Sequence, residues 1–390
     1  MNPRERIMKA MNLEHPDRVP VMCQFSIGFM NQQLKGTGIT PMELWLDADK
    51  YAEGLIFLRD IFDFDGILVS IHGHAKDWRQ KIKKVEVVDT FEKATFEGHT
   101  ELYLDDDLPI GNFFEPRQRN LDSINPTSIP DKLDYIAASK DCYFFIDEED
   151  PYRVFKILDD NLKRQYSIHG EVTSPFDYLL DLIGYQNALM ALVLEPAKVK
   201  LILDKFTVGV INMAVGLAER VEIDAIKISS PFTGMGFISP DHYRQFELPY
   251  ISRVVDAVKN CGKAVYIHTC GHINDRLEIM KESGVSGLEC LDPPPIGNTE
   301  LEDAFNRVGD SMFIKGNIDS VSTLLNGNEE SITADVAKRI QVGMQNKGFI
   351  LSTACSIAPK VPRENIELLA KLASEIGSYS DPKYLGAHHL

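Results

Sequence analysis

Two stretches hold residues able to do chemistry: AVYIHTCGH at positions 264–272 and, far downstream, FILSTACSI at 349–357. Each is an apolar run of strand character that turns polar at its end, the first in His268 and Cys270, the second in Cys355. Strand side chains alternate between faces, so His268 and Cys270 point one way and Thr269 the other. Two thiolates and an imidazole make a soft donor set suited to Zn2+, and three protein ligands leave a position open for substrate, as a catalytic zinc requires. The competing reading is a core histidine bonded to backbone beside two packed thiols, since an HxC pair also arises by chance. The residues alone leave both open.

A second constellation lies in YSIHGEV (166–172), where His169 and Glu171 share a face two positions apart. They suit a proton-handling pair, although Glu171 also reads as a hydrogen-bonded carboxylate at a strand end. His72 and His74, in SIHGHAKDW, read as surface loop residues. Cys23, Cys142, Cys261 and Cys290 read as packing thiols, with Cys290 turned away from the face that carries Glu289. YLDDDLP (103–109) reads as a solvated turn and GHINDRL (271–277) as a helix start. No GxGxxG and no phosphate-cradling Gly-Lys-Ser sequence is present.

Something must bring these residues together. Eight apolar, β-rich runs alternate with longer segments of helical period: 19–25, 66–72, 166–172, 225–231, 264–270, 287–293, 312–318 and 349–355. Segments 204–221 and 241–260 show the helical spacing best. Eight such runs predict an α/β fold, a (β/α)8 TIM barrel whose strands are buried on both faces, with a doubly wound open sheet as the alternative. The alternation breaks after 72, where KKVEVVDTFEKATFEGHTELYLDDD (83–107) has the pattern of a hairpin or small sheet. The chain is therefore expected to form one barrel domain over 1–390, with a β-rich insertion after the second strand at about 75–140, a loop over 113–131 and a helix over 131–139. Active sites of such barrels lie at the C-terminal strand ends. Gln24, His72, His169, Glu171, Ser229, Ser230, His268, Cys270, Glu289, Asn317 and Cys355 collect there. Cys355 falls three strands from Cys270, so shared ligation requires reach across the barrel mouth.

Composition narrows the partners. An apolar fraction of 44% with 25% charged residues suits a globular protein with a full core, and the net charge of −17 opposes binding to nucleic acid or anionic lipid. The opening MNPRERIMKAMNLEHPDRVP lacks the apolar centre of a signal peptide, and no run reads as a membrane span. Six cysteines in 390 residues do not make a disulfide framework. A cytoplasmic protein with reduced thiols is expected, with no membrane partner.

Four segments, RERIMKAMNLEHPDRVPV, GFISPDHYRQFELPY, HTCGHINDRLEIMKESGVSGLE and KGNIDSVSTLLNG, together resemble the uroporphyrinogen decarboxylase superfamily, which implies a (β/α)8 barrel. The decarboxylases of that superfamily carry an arginine-rich RQAGRY segment and an FSDIL aspartate. Here CQFSIGFMNQQ (23–33) has no arginine, FDGIL (64–68) places Gly66 at the aspartate position, and STACSIAP (352–359) replaces a histidine-bearing segment. A substrate with eight carboxylates would meet few cations. The chain more closely resembles the zinc-dependent, corrinoid-linked methyltransferase branch, whose HxCG and later cysteine fall on His268, Cys270 and Cys355, with Glu289 where a fourth or exchangeable ligand would lie. The resemblance implies methyl transfer between a small substrate and the cobalt of cobalamin on a separate corrinoid protein docked over the mouth. The long insertion resembles donor-side enzymes that demethylate methyl ethers or methoxylated aromatics, with Phe25, Phe29, Met30 and Trp78 as candidate pocket residues. The alternatives are a thiol-methylating methylcobamide methyltransferase, a uroporphyrinogen decarboxylase-like enzyme, and a non-catalytic corrinoid-binding subunit.

Overall fold

A computed structural model describes residues 1–115, 120–139 and 142–380. Seven parallel strands form one curled sheet: β1 (Gly66–Val69), then β8 (Ser167–Thr173), β9 (Ala225–Ser229), β10 (Ala264–Thr269), β11 (Gly287–Cys290), β12 (Phe313–Ile318) and β13 (Phe349–Thr353). Neighbours in that order are hydrogen-bonded, and the crossovers between them are helical. The strands are buried along nearly their whole length, as a sheet covered on both faces requires.

The gap between β13 and β1 is closed by the first predicted run. Met22 N–H donates to Leu351 O (3.0 Å), Leu351 N–H to Pro20 O (2.8 Å), and on the other side Asp65 N–H donates to Val21 O (2.8 Å). This eighth stave is extended but pairs only through isolated bridges, at Val21–Leu351 and Phe25–Ile357. Pro20 explains part of that, because it has no N–H to give the ladder. Asp65 pins the bottom of the barrel, accepting Val21 N–H (2.8 Å) and pairing with Arg6 and Arg18.

The helical readings hold, with bounds moved: Pro196–Arg220, and 241–260 divided into Pro240–Phe246 and Leu248–Asn260. Pro196–Arg220 is long and apolar enough to span a membrane, a property the sequence reading assigned to no run, yet half of that stretch is buried inside the protein. It packs on Leu248–Asn260 and on Pro175–Ile183 as a core-facing barrel helix.

Between β1 and β8 the insertion forms a four-stranded antiparallel sheet, β2 (Lys84–Val88), β3 (Phe91–Thr95), β4 (His99–Tyr103) and β5 (Ile110–Phe113). The hairpin pattern of 83–107 is thus realised. The helix expected over 131–139 is not: Tyr135–Ser139 is strand β6, paired antiparallel with β7 (Cys142–Phe145). The aromatic and β-branched residues of both strands supply pairing partners that override the helix preference of Ala137 and Ala138. Thr173 Oγ1 donates to Ala137 O (3.3 Å) and Tyr178 Oη to Tyr135 O (2.8 Å), which fastens this hairpin beside the mouth. The acidic turn 105–107 closes against helix Ile27–Gln33, where a Cβ on Gly28 would lie 2.3 Å from Asp106 O.

The structure also overturns the surface reading of His72 and His74, the first packed beside Phe155 and the second beside the hairpin. Both are buried, His74 with its ring 4.7 Å from that of Phe144 and 5.3 Å from that of Tyr51. Burial pushes His72 down to about 4 and His74 to about 3, so both rings are neutral at physiological pH.

Candidate metal centre

β10 delivers His268 at its penultimate position and the chain then leaves the sheet through Cys270, while Cys355 follows the end of β13. β10 and β13 are three strands apart in the sheet order, and the curl of the barrel brings their ends together. His268 Nε2 lies 3.2 Å from Cys270 Sγ and 3.9 Å from Cys355 Sγ, and the two sulfurs are 3.6 Å apart.

These distances test whether zinc fits. Tetrahedral Zn2+ with bonds of about 2.3 Å to sulfur and about 2.0 Å to nitrogen places sulfurs about 3.8 Å apart and each sulfur about 3.5 Å from the nitrogen. The three donor atoms already sit near those edges. Neighbouring thiols, Cys270 and then Cys290, together with His268, hold the Cys355 thiol well below its ordinary value, which favours the thiolate that a metal needs.

Glu289, one strand over and in register with His268, approaches the ring from the other side: its Oε2 lies 2.9 Å from His268 Nδ1. The Nδ1–H therefore donates to a carboxylate and Nε2 is the nitrogen turned to the sulfurs. Glu289 is itself held, by Lys315 Nζ at Oε1 and by Lys227 Nζ 3.5 Å from Oε2. Burial pushes its carboxyl up, but the two ammonium groups outweigh burial and keep it well below the carboxylate range. Lys227 also bonds Gln24 Oε1 (2.6 Å) and lies 3.3 Å from Glu171 Oε2. Two lysines and two carboxylates thus balance one another in the buried space beneath the sulfurs.

A cavity of about 310 Å3 opens beside them, reaching Ser356, next to Cys355, and Ser229, the register partner of His268. Its walls include Phe25, Trp45, Ile136 and Glu171, and the acidic turn contributes Asp107. Among its described lining residues there is no Arg, Lys or His.

Residues 148–376 match the uroporphyrinogen decarboxylase (URO-D) family. The chain belongs to that family. Over 378 residues it is 24% identical to the methylcobamide:CoM methyltransferase MtbA of Methanosarcina mazei, covering 95% of this chain and 97% of that one. It is 28% identical over 220 residues to the methylcobamide:CoM methyltransferase MtaA of Methanosarcina barkeri, 56% of this chain and 61% of that one. It is also 29% identical over 194 residues to the uroporphyrinogen decarboxylase of Hydrogenovibrio crunogenus, 49% of this chain and 51% of that one. A solved methyltransferase from Methanosarcina mazei superposes with a TM-score of 0.72 at 19% identity, over 96% of this chain and 99% of that one, which shows the fold.

For this URO-D family member the sequence-derived residues divide. His268, Cys270 and Cys355 come together, and Glu289 joins them through the far edge of the imidazole. The pair on β8 separates: Glu171 lines the cavity, whereas His169 is fully buried below it, its nitrogens on Ser167 Oγ (3.1 Å) and Tyr266 Oη (3.0 Å). Burial pushes His169 down to about 4, as for a neutral core histidine. Of the expected pocket aromatics Phe25 lines the cavity, Phe29 and Met30 are packed in the core, and Trp78 faces a different cavity with the insertion.

Trp45, Lys227 and Lys315 go unremarked in the sequence reading. The lysines left a signal, each a lone charge inside an apolar run, AIKIS and FIKGN, where an unpaired lysine is not tolerated. Cys290 was misread: His268, Cys270 and Cys290 have ligand atoms within 4.8 Å of one another. The expectation that it faces away follows from strand alternation, and alternation ends there because Cys290 has φ 86°.

Replacing Glu289 by glutamine removes the charge that orients His268. Any zinc held at this site is expected to bind about 10- to 100-fold more weakly, read by competition with a chromophoric chelator, with every cysteine of the site retained.

Proposed function

We propose that this chain is a zinc-dependent methyltransferase that moves a methyl group from a small methyl ether, foremost a methoxylated aromatic, to the cobalt of a corrinoid protein. The observation that carries the reading is the meeting of His268 Nε2, Cys270 Sγ and Cys355 Sγ within 3.9 Å at the C-terminal mouth of the barrel. When bound, zinc would supply Lewis acidity at the heteroatom that bears the methyl group, and the corrinoid the cobalt that carries the methyl away.

The chain's own residues divide the rest of the work. His268, Cys270 and Cys355 hold the metal, and Glu289 fixes the imidazole tautomer. Phe25, Trp45 and Ile136 offer an aromatic donor an apolar wall. Glu171, held against Lys227, stands where its carboxylate can accept a hydrogen bond from the donor and orient it. Met235, Phe237, Ile296 and Val321, each at least 40% exposed on loops that follow β9, β11 and β12, give a corrinoid protein an apolar rim to dock on. All six cysteines are free, in keeping with work in the cytoplasm.

The cavity favours an uncharged donor over the other readings. A thiol acceptor carrying its own anionic group, or a porphyrinogen with its carboxylates, needs a cation in the walls, and the described lining offers only Asp107 and Glu171 as charges. At the position aligned with the decarboxylase aspartate, a Cβ on Gly66 would lie 2.9 Å from Met22 Sδ and 2.8 Å from Ser167 O.

The test is to incubate zinc-loaded protein with cob(I)alamin and a panel of methoxybenzenes, following methylcobalamin by its visible spectrum. Methylation by at least one donor, lost in Glu171→Ala, is the expected result. Methylcobalamin consumed by thiols, with no transfer from any ether, would assign the thiol-methylating direction instead.

A further inference from the structure

Strand β11 ends in an unusual way. Cys290 and Leu291 are both in left-handed backbone conformations, φ 86° and 54°, which non-glycine residues seldom adopt. Regular alternation would put Cys290 on the face of its register partner Thr269, whose hydroxyl lies 3.5 Å from that of Thr233, away from the barrel interior. The turn at Cys290 instead carries its sulfur to the centre, within 4.8 Å of both His268 and Cys270. Cys355 Sγ lies 3.6 Å from Cys270 Sγ and 3.9 Å from His268 Nε2, so Cys290 and Cys355 both flank the His268–Cys270 pair, where one of them would serve an open site.

We propose that Cys290 is the fourth ligand of this centre, closing a Cys3His shell at rest and giving up its place when the methyl donor arrives; the inference rests on the metal centre argued under Proposed function. Three thiolates and one imidazole complete a tetrahedral zinc site, so the donor enters only by displacing a ligand. Cys290 is the ligand built to leave. Its sulfur has a second partner, Asp292 Oδ2 at 3.2 Å, which also accepts Gly271 N–H (2.6 Å) and so stays in place; on leaving, the thiolate takes up one proton from solvent at the mouth and donates it in the hydrogen bond to Asp292. Among the described residues, the hydrogen bonds of the Cys270 and Cys355 sulfurs run within the cluster. The closed shell keeps water off the metal until substrate is present.

Zinc-edge X-ray absorption on the loaded wild-type protein reads the sulfur count directly, with no variant needed. Three sulfurs at about 2.3 Å and one nitrogen are expected. In Cys290→Ala the count falls to two, and in the cobalt(II)-substituted variant the thiolate-to-cobalt absorption drops by about a third relative to wild type. Azide, used as a probe ligand, is expected to shift the cobalt spectrum of the variant at a concentration at least about tenfold lower than in wild type, because the fourth position has been vacated. Two sulfurs in wild type, or equal azide response in both proteins, overturns the role of Cys290 and leaves the metal centre standing. A wild-type chain that takes up no zinc, or whose zinc is bound as before after Cys270→Ser and Cys355→Ser, overturns the centre and this inference together.

Discussion

With serine at both Cys270 and Cys355, zinc in the purified protein is expected to fall from about one per chain to less than about a tenth, and methyl transfer to become undetectable. An alcohol does not ionise near neutral pH and is a poor partner for a borderline-soft ion, so each substitution removes a ligand while nearly preserving volume. The barrel is expected to survive. Neither sulfur belongs to the apolar core, and the carboxylate that orients His268 is held by lysines independently of the metal. Elemental analysis beside urea unfolding curves of both proteins stripped of metal separates the two effects: loss of zinc with equal metal-free midpoints supports the centre, whereas zinc retained at about one per chain would place the metal elsewhere.

Lys315→Met is expected to produce the largest loss of stability. Its ammonium is fully buried against Glu289, and Lys227 is shared between Glu289 and Glu171. Taking away one cation leaves three charges, two of them negative, of which only Glu171 reaches the cavity. Breaking a buried pair in this way costs about 3–5 kcal/mol, a large share of the stability of most domains. A second substitution, Glu171→Gln, is expected to return part of the loss, because Lys227 can then serve Glu289 alone. The interaction between the two changes, read from urea midpoints of the four proteins, should be about 1–3 kcal/mol. Strict additivity would mean that the four groups do not act as one network. Loss of zinc affinity in Lys315→Met, on the same preparations, would show the network reaching the metal through Glu289 and His268.

The network also explains why the lower barrel tolerates charge. Lysines are almost never buried unless paired, and these two meet carboxylates presented by β8 and β11. Glu289 joins the two levels of the site, since its oxygens contact both lysines from below and His268 from above. The orientation of one imidazole therefore depends on charges drawn from strands far apart in sequence.

Much of this protein is determined by the sequence alone. Period-2 apolar runs alternating with helical segments specify parallel strands and crossovers, because each pattern buries a continuous apolar surface in only one secondary structure. Seven of the eight predicted runs are strands, and the eighth lies in place as a bridge-paired stave. His268, Cys270 and Cys355 were legible for a similar reason: the C-terminal ends of barrel strands face one mouth, so polar residues there must meet.

What tertiary structure alone decided is how those residues stand to one another. The curl of the sheet sets the 3.6 Å between sulfurs that are 85 positions apart, and no local pattern encodes that closure. Pairing with β7 made Tyr135–Ser139 a strand and set Phe144 against His74, because a partner strand supplies hydrogen bonds that no local propensity anticipates. His169 and Glu171 share a face, yet depth along the barrel places one in the core and the other on the cavity. Cys290 comes within 4.8 Å of His268 and Cys270 through a left-handed backbone turn that reverses the alternation on which any reading of a strand depends. Types and periods are properties of short stretches of chain; depth, closure and backbone reversal arise only when distant stretches pack.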